Sequence, residues 1–257
     1  IKLIRTNPEL VKENIKKKFQ DEKLVLVDEV IAMDKEFQRI KSLLENTEET
    51  KRNGRVYVTG TMGSSTLIMH QCGIGKVFAA MCAQTMILKY APEAIINIGV
   101  AGSVTKGLQV LDIAIADKVC QHDMDTSPIG DPVGLISGIN QIFFPADPKL
   151  IGVIEEAAKM KDCRTVIGTV ASGDQFICSK EQKERIIADT GAVCAEMEGA
   201  SIAHTAYRNG VPFVILRAIS DKADDSAEMD YPTFETQAAH RCAAVAMHLA
   251  KQLKEAN

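Results

Sequence analysis

The 257-residue chain lacks most of the features that would place it in a simple class. No apolar run approaches the roughly 20 residues that a membrane-spanning helix needs. The opening residues, Ile1 to Arg5, carry no secretory apolar region. Neither sign of charge dominates: 30 Lys and Arg against 34 Asp and Glu leave a net charge of −4. That balance calls for neither nucleic acid nor an anionic membrane. The seven cysteines, Cys72, Cys82, Cys120, Cys163, Cys178, Cys194 and Cys242, form no C-x-x-C pair and are odd in number. Wide spacing argues against a disulfide framework and against a zinc ribbon. Several lie in apolar runs, as reduced core cysteines do, so the expected compartment is reducing and cytoplasmic. His70, His122, His204, His240 and His248 show no metal-ligand spacing, and no metal or organic cofactor is implied. Repeats and low-complexity tracts are also missing.

What is present is alternation. With 46% hydrophobic residues the chain can bury a sizeable core. From about Val56 onward, short apolar strands alternate with longer helical stretches. Thr66–Met69 reads as a strand and Val77–Lys89 as a helix. Ala94–Ile98 is a second strand, closed by Gly99-Val100-Ala101-Gly102. Asp112–Ala116 and Thr165–Val170 are the next two. Ala192–Ala195 precedes a helix expected to begin near Glu198 and stop at Gly210, a plausible C-terminal glycine. Pro212–Arg217 is the last core strand, and a helix from about Thr233 to Leu253 closes the chain. The pattern predicts an α/β fold: a single domain with a mixed, mostly parallel central sheet flanked by helices.

Gln121–Asp147 holds three of the eight prolines with several glycines and aspartates, and reads as a long loop, usually a functional feature in a compact domain. The first fifty residues are less regular. Asn7-Pro8-Glu9-Leu10 is a fair helix start, and Leu10–Phe19 is amphipathic with a basic face. Lys23–Met33 reads either as a strand or as the start of a long helix reaching Leu44. Asp28 and Glu29 interrupt the strand reading, because central parallel strands seldom carry adjacent carboxylates.

In open α/β sheets ligands sit beyond the carboxyl ends of strands. The segments there are Gly73–Lys76, Gly99–Gly102, Ser172–Ile177, Glu196–Gly199 and Ser220-Asp221. Their glycines let a ligand approach the backbone. Their carboxylates, Asp174, Glu196, Glu198 and Asp221, suit a neutral polar ligand or one that turns cationic during reaction, and suit phosphate poorly.

The stretch AEMEGASIAHTAYRNGVPFVILRAISDKAD resembles the signature of methylthioadenosine/S-adenosylhomocysteine nucleosidases, members of the nucleoside phosphorylase superfamily. QCGIGKV (71–77), NIGVAG (97–102), HDMD (122–125) and VASGDQFI (170–177) match in order, so the resemblance runs from about Ile31 to Leu253. It implies a nucleoside phosphorylase-like fold over 31–257 after an extension at 1–30, a homodimer, and a small nucleoside substrate. It implies Asp221 as the acid that protonates adenine N7 and Glu36 as the base that activates water. Glu198 would hold the ribose hydroxyls, Met197 and Phe176 would pack on the nucleoside, and the Ile177 backbone would read the adenine edge. Met33 would line the thioether pocket and Tyr231 the alkylthio tail. Ala101, Gly102 and Ser220 complete the substrate-binding set, and Ile129 lies in the loop that a second subunit contributes.

The chemistry needs these residue types. Adenine leaves as a neutral base only if N7 is protonated, and a carboxylic acid that does this near neutrality needs a raised pKa. The ribose becomes oxocarbenium-like, which a carboxylate beside its hydroxyls stabilises. Water attacks from the opposite face, as in inverting glycoside hydrolysis. Phosphorylases carry a Gly-Asp-Pro-x-Arg turn where this chain has Ala32-Met33-Asp34-Lys35-Glu36, and a glutamate there repels phosphate. Alternatives stand beside this reading: a phosphate-dependent purine nucleoside phosphorylase, or a non-catalytic nucleoside-binding relative. Asp221 could instead cap a helix, Glu198 could serve a helix dipole, Met197 could be core, and Glu36 could be a solvated helix residue. Glu196 reads as structural, paired with Arg217. Val100 stands where the family has a small hydroxyl residue near the acid, which removes one hydrogen bond. Over a short run, NPELVKENIKKKFQDEKLVLVDEV resembles the N-terminal helical arm of seryl-tRNA synthetases; Lys16–Lys18 fits a solvated helix face, and no nucleic-acid partner is expected.

Overall fold

A computed structural model describes residues 7–17, 37, 38, 40–52, 55–161, 163–224, 234 and 237–248. Helix α1 (Pro8–Lys17) begins where the Asn7 side chain accepts the Leu10 N–H at 3.2 Å. Residues 37, 38, 40 and 41 are helical and end before Leu44, while the alternatives for Lys23–Met33 lie outside the described residues. Three antiparallel strands follow, β1 (Glu45–Arg52), β2 (Arg55–Met62) and β3 (Ser65–His70), with β2 in the middle. The sequence gives no warning of β1, whose ENTEETKR has no apolar residue. It is an exposed edge strand held by its ladder to β2, and its charges keep that edge from pairing further.

The main sheet contains β4 (Ile95–Ser103), β5 (Ile113–Gln121), β6 (Phe144–Pro145), β7 (Thr165–Ser172), β8 (Cys194–Glu196) and β9 (Phe213–Asp221). Its order is β6-β5-β7-β8-β4-β9, and β5 also pairs with β9, so the sheet curls shut. The long ladders, β4 with β9 and β5 with β7, are parallel; β4–β8, β5–β9 and β5–β6 are antiparallel. The expected mixed, mostly parallel α/β sheet is present, with longer strands than the sequence indicates. Gly99–Gly102 does not close β4 but lies within it, and β9 continues past Arg217 to Asp221.

Every residue of β9 is buried. Phe213, Ile215 and Ile219 enter one core cluster with Phe144 and Val170. Val214, Leu216 and Ala218 enter another with Ile113, Ile115 and Ile154. The period of two thus serves two cores from one strand, as in sheets covered on both faces. Helices α2 (Lys76–Tyr90), α3 (Pro148–Lys159), α4 (Lys180–Thr190) and α5 (Gly199–Arg208) cover the sheets. Asp147 caps α3, accepting the Lys149 and Leu150 N–H groups at 2.9 and 3.0 Å, with Pro148 at the first position. Beyond α5, Gly210 takes φ +68 as a C-terminal glycine does. Residues 237–248 are helical, within the expected closing helix. Among the described residues no helix is long and apolar enough to cross a membrane.

Candidate active site

Arg217 projects from β9 into the interior at 1% exposure, a charge placed in the apolar run FVILRAIS. Its guanidinium donates to Glu196 at the end of β8, through Nη2 and through Nε at 3.2 Å, and also to the Asn97 side chain of β4. The Glu196 carboxylate further accepts the Ser172 hydroxyl from β7 and the backbone N–H groups of Glu198 and Gly199. Ser172 Oγ accepts the Ala200 N–H at 2.7 Å. Burial raises the Glu196 pKa, but Arg217, Ser172 and Gly199 outweigh it and hold the carboxyl below its ordinary value. Glu196 is therefore the anion on the N-terminus of α5. The expected Glu196–Arg217 pair is present, and the helix-dipole role considered for Glu198 belongs to Glu196.

Glu198 points elsewhere. Its Oε1 accepts the Gly75 N–H at 2.8 Å. Gly75 sits at φ 92 ahead of α2, a conformation that L side chains rarely adopt. Burial, then the charge of Glu196, raises the Glu198 carboxyl to about 7 against the opposing pull of Arg217 and the Gly75 N–H.

Asp221 ends β9 at 2% exposure. Oδ1 accepts the Ala223 N–H at 2.8 Å, and Oδ2 accepts the Ser220 hydroxyl at 2.9 Å. Residues 222–224 are not helical, so the helix-cap alternative fails and the carboxyl closes a local turn instead. Gly102 of β4 is registered with Asp221 on one side and with Ala195 of β8 on the other. A Cβ on Gly102 would lie 2.5 Å from Asp221 Oδ1, so a glycine is required for this approach. Asp221 and the Ala195–Glu198 segment are thus about two strand spacings apart, roughly 10 Å. Val100 packs against the cluster around Ile113 and Val214. The hydroxyl that its substitution removes from the neighbourhood of Asp221 has a counterpart in Ser220.

The other expected residues divide. Ala101 is buried beside Gly102, Ile177 is buried with Val104, Cys120 and Ala195, Met197 is half-buried, and Phe176 is 43% exposed beside Ile177. Ile129 is 81% exposed in the 121–147 loop. Glu36, Met33 and Tyr231 lie outside the described residues. From sequence, Ser172 and Gly75 enter only as members of segments expected beside a ligand, with no role of their own, and Asn97 enters only within the Ala94–Ile98 strand and the NIGVAG block. Asn97 had a signal, a polar side chain in the middle of the apolar run AIINIG; the Gly75 N–H had none, because backbone donors leave no trace in residue type.

A family model described as the phosphorylase superfamily matches residues 30–251. The 5′-methylthioadenosine/S-adenosylhomocysteine nucleosidase of Shewanella halifaxensis (strain HAW-EB4) is 34% identical over 225 residues, covering 86% of this chain and 97% of its own length. The chain belongs to the methylthioadenosine/S-adenosylhomocysteine nucleosidases of the phosphorylase superfamily. Solved nucleosidases share the fold. The S-adenosylhomocysteine nucleosidase of Streptococcus pyogenes, in complex with 5-methylthiotubericidin, gives a TM-score of 0.80 at 30% identity, covering 85% of this chain and 92% of that one. A Helicobacter pylori structure described as futalosine hydrolase gives 0.80 at 33% identity, covering 84% of this chain and 93% of that one.

Two outcomes follow for this nucleosidase-family chain. Glu196→Gln takes from buried Arg217 the carboxylate that its guanidinium is hydrogen-bonded to. We expect a loss of about 3–5 kcal/mol, a fall of the melting temperature by roughly 10 °C or more in calorimetry; an unchanged melting temperature contradicts this. The folded Glu198 carboxyl titrates at about 7 against an ordinary 4.5, so folding takes up a proton between those values. Its contribution to stability is complete below the lower value and is lost as pH rises through the upper one. Glu198→Gln should therefore gain stability relative to wild type at pH 8 compared with pH 5, and parallel melting curves at both pH values would refute it.

Proposed function

We propose that this chain is an N-glycosyl hydrolase that cleaves 5′-methylthioadenosine and S-adenosylhomocysteine to adenine and the thioribose product. The observation that carries the reading is the pair of carboxyl groups, Asp221 and Glu198, set on either side of the Gly102 strand end in a chain of this family. Phe176, exposed beside the buried Ile177, offers a flat face for adenine, and the Ile177 backbone offers its edge recognition. Asp221 gives its proton to N7 as the bond from N9 to C1′ breaks, and the bonding electrons stay with the purine. The sugar becomes cationic, and ionised Glu198, accepting its hydroxyls, stabilises that charge. Water then forms the new bond to C1′ from the far face and loses a proton to a base, the role assigned to Glu36. Met33 and Tyr231 take the alkylthio end; Met197, Ala101, Gly102 and Ser220 line the nucleoside. The nucleosidase domain spans 31–257, with 1–30 as an extension, and seven cysteines that form no disulfide fit the cytoplasm.

The acting form is a homodimer. Ile74, Val77, Phe78, Met81 and Leu88 are 50–77% exposed along one side of α2 and the turn before it. A contiguous apolar stripe of this kind marks an interface, and a second copy of the same chain is the commonest partner. Ile129, on its exposed loop, is the residue that the partner contributes. Met81→Asp should convert the dimer to monomer in sedimentation; a wild type that sediments as a monomer removes this part of the proposal.

The direct test incubates the purified chain with methylthioadenosine, with and without phosphate, and measures adenine. Release should not depend on phosphate, and Asp221→Asn should lower turnover by about 10²–10⁴-fold while an uncleavable nucleoside analogue still binds in calorimetry. Phosphate-dependent formation of a ribose 1-phosphate, or near-normal turnover by the variant, would overturn the assignment.

A further inference from the structure

Lys76 is the first residue of α2. A cation there opposes the positive end of the helix dipole, so helix stability does not explain it. Its surroundings do. Lys76 Nζ pairs with Asp123 Oδ1 at 2.6 Å and donates to Gln121 Oε1 at 3.1 Å. The backbone N–H of Asp174 donates to the other oxygen of Asp123 at 2.9 Å, and the backbone N–H of Lys76 donates to Asp174 Oδ1 at 2.8 Å. These bonds form a closed ring joining the segments after β3, β5 and β7. The Lys76 and Asp123 side chains are only 19% and 17% exposed, so this pair is shielded more than a surface ion pair. The residue before Lys76 is Gly75, whose N–H donates to Glu198. A Cβ on Gly75 would meet Asp174 Oδ1 at 3.0 Å, so the ring packs directly against that turn.

We infer that Lys76 is a positioning residue: its ion pair with Asp123 locks the Gly73–Lys76 turn so that the Gly75 N–H stays aimed at the Glu198 carboxylate. The inference rests on the reading that ionised Glu198 holds the ribose. The groups facing Glu198 are Glu196 from β8, Arg217 from β9, the Cys72 thiol after β3, the backbone N–H of Met197 next to it, and the Gly75 N–H itself. Arg217 is committed to Glu196 and Asn97. The Gly75 N–H is thus the favourable contact to the Glu198 carboxylate that a loosened turn would lose.

The test measures kcat/KM from pH 5 to 9 for wild type, Lys76→Met, Lys76→Arg and Asp123→Asn, and for Lys76→Met combined with Glu198→Gln. In wild type the acidic limb should have its midpoint near 7, where the Glu198 carboxyl ionises. Lys76→Met and Asp123→Asn should each move that limb upward by about one pH unit, the worth of one charge-assisted hydrogen bond, and so lower kcat/KM at pH 7 by about fivefold. Lys76→Arg should recover most of the loss. In the Glu198→Gln background the effect of Lys76→Met should shrink to about twofold or less, because the two act through one contact. An active wild type with an unmoved limb in the variants, or an equal loss with and without Glu198, overturns the inference and leaves the nucleosidase reading intact. A wild type that releases no adenine overturns both. If Lys76→Met fails to fold, Asp123→Asn breaks the same ring and decides the question.

Discussion

A guanidinium and a carboxylate, each nearly out of contact with water, meet beneath the strand ends of the closed sheet. Such a pair costs several kcal/mol per ion in lost solvation and persists only with further hydrogen bonds. Those bonds come from β4, β7 and the first turn of α5, so the pair, itself on β8 and β9, draws five elements to one point. Where Arg217 passes β4 the neighbour is Gly99, whose missing side chain leaves room for the guanidinium.

The same pair separates the two glutamates of Glu196-Met197-Glu198. Glu196 takes the cation and the helix N–H groups and stays ionised. Glu198, two residues on, is raised to about 7 by burial and then by the Glu196 charge, against Arg217 and the backbone donors of Gly75 and Met197. Two carboxyls of one sequence motif are thereby driven apart in proton affinity, which is how a site comes to contain groups with different tasks. Asp221 is held separately, at the end of β9, by a hydroxyl and an N–H that fix its orientation against Gly102.

Much of this was legible in the residues. The alternation of apolar strands and helices led to the α/β class, and the family blocks led to the nucleosidases. Buried Arg217 and its pairing with Glu196 could be read because a charge in FVILRAIS has to be balanced. The closure of the sheet by β5 and β9 could not be read, since a short antiparallel contact between distant strands leaves no periodicity behind. β1 was missed because its eight residues contribute no apolar face and depend on β2 for their form. The end of β4 was misplaced for a related reason: glycines that usually stop a strand are kept inside it so that Arg217 and Asp221 can come close. Backbone donors such as the Gly75 N–H escape any reading by residue type.

The central claim is that this scaffold holds two carboxyl groups at opposite ends of a bound nucleoside. A crystal structure of the chain with an uncleavable methylthioadenosine analogue tests it most directly. The account predicts the Asp221 carboxyl within hydrogen-bonding distance of purine N7, roughly 2.6–3.2 Å, with Glu198 accepting from the sugar hydroxyls and the Arg217–Glu196 pair unbroken below them. An analogue seated away from Asp221, or ribose hydroxyls that point away from Glu198, would contradict it.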